Sequence, residues 1–232
     1  MEIAPGVYSL VQFKGAYVHA FLVDTGDELI LIDTLFDTDA RLILDLIKRI
    51  GRKVSDLRHL VMTHAHKSHL GGLKRLKDMT GAPVYAHEWE VGIINGQRKA
   101  TRVSFRPMRP FRTYPWQFGL AAGLDKHPYC PVDRTLADGE CIGPIQVVHT
   151  PGHTPGHLAF YMAEHKVLFT GDAVVTWPEP TAGWPGFMLD FEQQRISVRR
   201  MAGLNVEVLA VGHGDPIVSG GGKVLRDLAS EV

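Results

Sequence analysis

With only two cysteines, Cys130 and Cys141, the 232-residue chain has no disulfide framework. In a reducing compartment the pair is expected to stay reduced. No stretch approaches the roughly 20 consecutive apolar residues of a membrane-spanning helix, so no membrane partner is expected. Lys plus Arg equals Asp plus Glu, 25 against 25, which leaves no global basic field to hold a nucleic acid. The opening residues, MEIAPGVYSLVQF, lack a basic segment followed by a long apolar core, and the expected location is cytoplasmic. Internal repeats and low-complexity linkers are also missing. About 45% of residues are apolar and 22% charged, which is ordinary for a globular domain. Histidine, by contrast, is plentiful: there are 12.

The hydrophobic pattern alternates between strands and helices. Val7 to Phe13, Tyr17 to Val23 and Glu28 to Asp33 are apolar, β-branched runs broken by Lys14-Gly15 and Asp24 to Asp27, and they read as a β-meander. The apolar face of Leu42, Ile43, Leu46, Ile47 and Ile50 predicts a helix from about Asp39 to Ile50, capped by Asp37 or Thr38. A short buried strand, His59 to Met62, comes next. A helix from about Leu70 to Met79 stops at Gly81, followed by a strand at 83–86 and a helix at 88–94. Residues 96 to 135 break this rhythm. They hold Arg98, Arg102, Arg106, Arg109 and Arg112 with many aromatics and prolines, and such a stretch reads as a lid-like functional loop. Further strands are expected at 145–149, 158–161, 167–170 and 206–211. Helices are expected at 191–202 and 223–230. A second aromatic loop spans 174–187. Residues 1–232 read as one α/β domain.

The chemistry concentrates in Thr63-His64-Ala65-His66-Lys67-Ser68-His69-Leu70-Gly71-Gly72. His64 and His66, two apart on chain leaving a strand, project to one side. His69 sits at the start of a helix. Imidazole is the commonest zinc ligand, and three histidines in six residues at a strand end point to a metal. Three more strand ends run into short polar turns. They carry His153 in Pro151-Gly152-His153-Thr154-Pro155-Gly156-His157, Asp172 in Phe169-Thr170-Gly171-Asp172, and His213 in Gly212-His213-Gly214. Active sites of layered α/β proteins gather at such ends. Together these residues suffice for two metals.

In this order the four segments resemble the metallo-β-lactamase superfamily, and the likeness extends from Leu31-Ile32-Asp33-Thr34 to Gly212-His213-Gly214. PGHTPGH and FTGDA are similar to the versions in glyoxalase II-like and lactonase-like members. The resemblance implies a four-layer αββα sandwich. It further implies one metal on His64, His66 and His153, a second on His69 and His213, and Asp172 bridging them. The cofactor implied is zinc, as one or two ions, with iron as an alternative. One position departs from the motif: Ser68 stands where the family places an aspartate that ligates the second metal and orients the attacking water. Three protein ligands plus water still make an acceptable catalytic zinc site. With a neutral serine the centre would be about one charge more positive and would hold its second metal less tightly. Two metals, one metal and no useful catalysis all remain open.

The activity this implies is hydrolysis: a metal-borne hydroxide attacks an ester, lactone, thioester or amide carbonyl. Asp172 and Ser68 are the candidate catalytic residues. The rivals are a mononuclear-iron oxidoreductase of the persulfide dioxygenase type and a catalytically impaired binding scaffold. Trp116, Phe118, Trp177, Trp184 and Phe187 suggest a small-molecule substrate with an apolar body. The arginines suggest either an anionic group on that substrate or a solvated face. Lys67 reads as a solvated lysine, His157 as a structural hydrogen-bonding residue, and His19, His87 and His149 as packing or supporting residues. Asp33 is expected to hydrogen-bond a ligand histidine. Exposed aromatic loops admit a homodimer.

Overall fold

A computed structural model describes residues 1–14, 16–99, 104, 106, 111–124 and 126–231. Among these the strands form two sheets. The first contains, in spatial order, β1 (Glu2–Ala4), β2 (Val7–Phe13), β3 (Tyr17–Asp24), β4 (Leu29–Ile32), β5 (Leu57–Val61), β6 (Val84–Ala86) and β7 (Arg134–Thr135). The second contains β8 (Cys141–Ile142), β9 (Ile145–His149), β10 (Leu158–Met162), β11 (Val167–Gly171) and β12 (Val208–Val211), in the spatial order β12-β11-β10-β9-β8. β1 to β4 pair antiparallel and β4 to β7 parallel. In the second sheet only the β11–β12 pair is parallel.

The central strands β3, β4, β10, β11 and β12 are apolar on both faces because both faces are covered. Along β3, Phe21 and Val23 point into the layer between the sheets, while Ala20 and Leu22 point to the outer helices. The same period-two split separates Ile30 and Ile32 from Leu29 and Leu31 on β4, and Phe160 from Ala159 and Tyr161 on β10. Outside the first sheet lie α1 (Arg41–Arg49), α2 (Lys67–Leu70), α3 (Leu73–Thr80) and α4 (Glu88–Ile94). α5 (Tyr114–Ala121) comes from the irregular region, and α6 (Phe191–Ala202) and α7 (Gly221–Glu231) cover the second sheet. The layers are those of the expected αββα sandwich. Among the described residues no helix is long and apolar enough to cross a membrane.

Three local expectations need correction. α1 is not capped by Asp37 or Thr38: its N-cap is Ala40, and Asp39 Oδ1 accepts from the Arg41 N–H at 3.0 Å. Asp37 is engaged elsewhere, by Gln12 at 2.5 Å and Lys14 at 3.2 Å. The single helix expected at 70–79 is broken into α2 and α3 at Gly71-Gly72. There the chain presses on residues 34–36. A Cβ at Gly71 would lie 2.2 Å from the Phe36 carbonyl oxygen, and Gly71 N–H donates to Leu35 O at 2.8 Å. Finally, 111–121 of the irregular region is helical, as a 3-10 turn running into α5, with Pro115 in its first turn.

Candidate metal centre

Strand register brings the motifs together. β4 and β5 run parallel with Ile32 beside Val61, so Asp33 and Thr63 leave the sheet side by side. β11 and β12 run parallel with Gly171 beside Val211, which sets Asp172 next to Gly212-His213. The Leu158 N–H donates to Thr63 O at 2.9 Å and joins the two sheets at this end. At Gly212 a Cβ would lie 2.3 Å from Asp172 Oδ1, so only glycine lets these two strand ends approach this closely.

The result is two donor sets that share a carboxylate. One comprises His64, His66, His153 and Asp172, the other His69, Asp172 and His213. His66 Nδ1 lies 3.0 Å from both His64 Nε2 and His153 Nε2. Asp172 Oδ2 is 3.5 Å from His153 Nε2, 3.8 Å from His64 Nε2 and 3.3 Å from His213 Nε2. Asp172 Oδ1 lies 3.3 Å from His69 Nε2. His64, His69, His153 and Asp172 are all buried.

Neighbouring groups turn the imidazoles toward this point. Thr63 Oγ1 donates to Asp33 Oδ2 at 2.8 Å, so it accepts from His64 Nδ1 at 2.9 Å, leaving the Nε2 lone pair for the cluster. His69 Nδ1 is held by Asp33 Oδ2 at 2.8 Å, and His213 Nδ1 donates to Tyr17 O at 2.6 Å. His157, the structural histidine, takes the Asp172 N–H on Nε2 at 3.1 Å and pairs through Nδ1 with Thr150 Oγ1 at 2.8 Å. It therefore fixes Asp172 and has no free nitrogen for an ion. His19 sits behind the site against Ser9 at 2.8 Å, and His87 stacks on His149 with ring centres 4.6 Å apart.

Burial holds His64 and His153 well below the usual imidazole range and His66 down to about 4. These three are neutral lone-pair donors, as metal ligands must be. Burial opposes charge on His69, but the flanking Asp172 and Asp33 carboxylates outweigh it and raise its pKa to about 10. Burial also works against the Asp172 charge, and His213 and His69 overcome it and hold the carboxyl well below its ordinary range. His69 Nε2 and Asp172 Oδ1 are buried without a hydrogen-bond partner. Buried polar atoms of native proteins are almost always satisfied. A divalent cation between these two atoms would satisfy both, taking the place of the proton that Asp172 and Asp33 otherwise hold on His69.

The cluster opens onto a cavity of about 350 Å³ whose lining includes His66, Ser68, Asp172 and His213. Its walls are largely apolar and include Val18, Phe36, Trp116, Leu120, Trp184 and Phe187. Of the aromatics expected to wall the pocket, Phe118 is exposed and Trp177 packs behind Trp184. Lys67, read as a solvated lysine, lines the cavity with Nζ 5.1 Å over the Phe36 ring. Arg98 and Arg106 are spent on the rings of Trp89 and Phe191 and do not line it. Arg102, Arg109 and the side chain of Arg112 lie outside the described residues. Sequence reasoning missed Glu90, a fully buried carboxylate behind the His64–His66 loop. Its signal was an acid at i on the apolar face of α4, with Ile93 and Ile94 at i+3 and i+4.

Two sheets, outer helices and a His/Asp cluster at the strand ends define a metallo-hydrolase type of protein. The chain belongs to the metallo-beta-lactamase superfamily, whose sequence pattern matches residues 14–213. It is 28% identical to a probable metallo-hydrolase of Bacillus subtilis, YflN, over 100% of this chain and 91% of that one. It is 26% identical to the thioesterase pkgB of Emericella nidulans, covering 90% of this chain and 48% of that protein. Among solved structures, TTHA1623 in a di-iron-bound form superposes with a TM-score of 0.64 at 27% identity, covering 90% of this chain and 93% of that one.

Proposed function

We propose that the chain is a metal-dependent hydrolase that cleaves a carbonyl ester, thioester or lactone bearing an apolar acyl body and an anionic group. The observation that carries this reading is the pair of donor sets sharing Asp172 at the floor of an apolar cavity. A metal held there, with zinc the first candidate and iron the alternative, would polarise a carbonyl and lower the pKa of water. His64, His66 and His153 would hold one ion; His69 and His213 would hold another, with Asp172 common to both. Ser68 contributes no charge. Asp172 is the single carboxylate on the described cavity lining, so orienting the attacking water falls to it. Val18, Trp116, Leu120, Trp184 and Phe187 would bury the acyl body and exclude water. Lys14 is balanced by Asp37 at 3.2 Å, whereas Lys67 has no carboxylate partner among the described residues and is the cation left to meet the anionic group. Acyl hydrolysis accords with the thioesterase name of one relative.

The test is turnover on a panel of p-nitrophenyl esters, aliphatic thioesters and lactones, with zinc and after chelation. Hydrolysis that chelation abolishes and zinc restores is expected. No metal-dependent turnover on any member would overturn the proposal.

A further inference from the structure

Glu90 is an acid with no solvent exposure, and the hydrolytic chemistry does not use it. It sits in the first turn of α4, a helix whose N-cap is His87, with the imidazole accepting from Trp89 N–H at 3.1 Å. Its carboxylate faces two loops that are remote in sequence. Oε2 accepts from the Ala65 N–H at 3.1 Å, and Oε1 accepts from the Thr154 hydroxyl. The nearby Gly156 N–H also favours its charged form. Ala65 lies between His64 and His66, and Thr154 adjoins His153. One carboxylate thus ties, from behind, both loops whose imidazoles converge in front. The fit is close: a Cβ at Gly156 would lie 2.8 Å from Glu90 Oε1.

The group needs to be a carboxylate. Oε2 accepts from a backbone N–H and Oε1 from a hydroxyl, and a carboxylate offers an accepting oxygen to each side although burial raises its pKa to about 7. An amide of the same size offers one oxygen: turned one way its NH2 opposes the Ala65 N–H and that link is lost, and turned the other way its NH2 opposes the Gly156 N–H and forces the Thr154 hydroxyl to reverse and accept. Imidazole nitrogens 3.0 Å apart must be held against their mutual repulsion, and an anchor shared by both loops does this.

We propose that Glu90 is a positioning residue that sets the spacing of His64, His66 and His153 and thereby the metal affinity of that donor set. The inference rests on the metallo-hydrolase reading above. The probe is zinc itself, titrated into metal-free full-length protein against a chromophoric chelator, with cobalt(II) absorption as a report on ligand geometry. Glu90→Gln should weaken the tightest zinc site about 10- to 100-fold, the range for residues that orient metal ligands, and should alter the cobalt spectrum. A purely structural role would instead lower the melting temperature and leave the affinity and spectrum of the folded protein unchanged; that result overturns the proposal. If Glu90→Gln does not fold, Thr154→Val removes one donor at constant volume and should weaken zinc in the same direction. Unchanged affinity in that variant likewise counts against Glu90. If the wild type binds no zinc or cobalt, the metallo-hydrolase reading itself falls, and this inference with it; zinc bound equally by wild type and variant removes only the role of Glu90.

Discussion

Replacing Ser68 by aspartate tests whether this one side chain governs how much metal the centre holds. Ser68 is half-buried, follows Lys67 in α2 and lines the cavity with His66, Asp172 and His213. The second donor set has three protein groups, and a carboxylate at position 68 would add a fourth. Two unit charges 4 Å apart at an effective dielectric of 20 attract by about 4 kcal/mol, so a divalent ion and a carboxylate attract by roughly 8 kcal/mol. Desolvating a half-buried carboxylate returns several kcal/mol, roughly 5. The remainder, about 3 kcal/mol, is about a hundredfold in affinity. The assay is zinc titration against a graded series of chelators, with elemental analysis after exhaustive dialysis. The wild type should lose its weaker zinc on dialysis, whereas Ser68→Asp should retain two. Equal affinity for the second zinc in the two proteins would refute the reasoning and would mean that His69, Asp172 and His213 suffice alone.

Asp33→Asn should weaken zinc at the His69 side about 10- to 100-fold, because Asp33 fixes the His69 tautomer at 2.8 Å; chelator competition in the Ser68→Asp background would read it. Lys67→Met should erase a preference, measured as a ratio of kcat/KM values, for acyl esters with a distal carboxylate over neutral ones of equal length, and Lys67→Arg should keep it. Burial, followed by the nearby His213, lowers the His19 pKa to about 4 from 6.5. The unfolded chain therefore binds that proton first as the pH falls. His19 contributes stability that is full above about pH 6.5 and lost toward pH 4, about 3 kcal/mol in all. Urea denaturation at pH 7 and 4.5 should show His19→Asn losing less across this interval than wild type. Gly71→Ala, with its Cβ 2.2 Å from a backbone oxygen, should cost about 3 kcal/mol or prevent folding.

Much of the molecule was legible in the sequence because its signals are local. The buried strands announce themselves as apolar runs: residues 29–32 and 158–162 are closed to water on both faces. Gly81, at φ +69°, marks the end of α3 as expected of a left-handed C-cap. The cap of α1 was misjudged because Asp37 was already engaged by Gln12 and Lys14, partners more than 20 residues away. α5 was missed because its apolar residues do not fall on one face: it lines the cavity through Trp116 and Leu120 while Phe118 faces outward. Lys67 could not be assigned to the cavity from sequence, since what lies across from it is Phe36, 31 positions earlier.

The sequence by itself determined the kind of centre: histidines at i, i+2 and i+5 after a buried strand, then three glycine-bounded polar turns at later strand ends. Chemistry of that type follows from residue identity and short-range spacing, which the chain carries directly. Only the tertiary structure decided how those groups are held. The parallel registers of β4 with β5 and β11 with β12 put Asp33 against His69 and Asp172 against His213, and the fold buries Glu90 behind two loops 87 residues apart. These are contacts between distant segments, set by which strands pair and which faces are covered; the local pattern of α4 signals that Glu90 is buried but not which loops it meets.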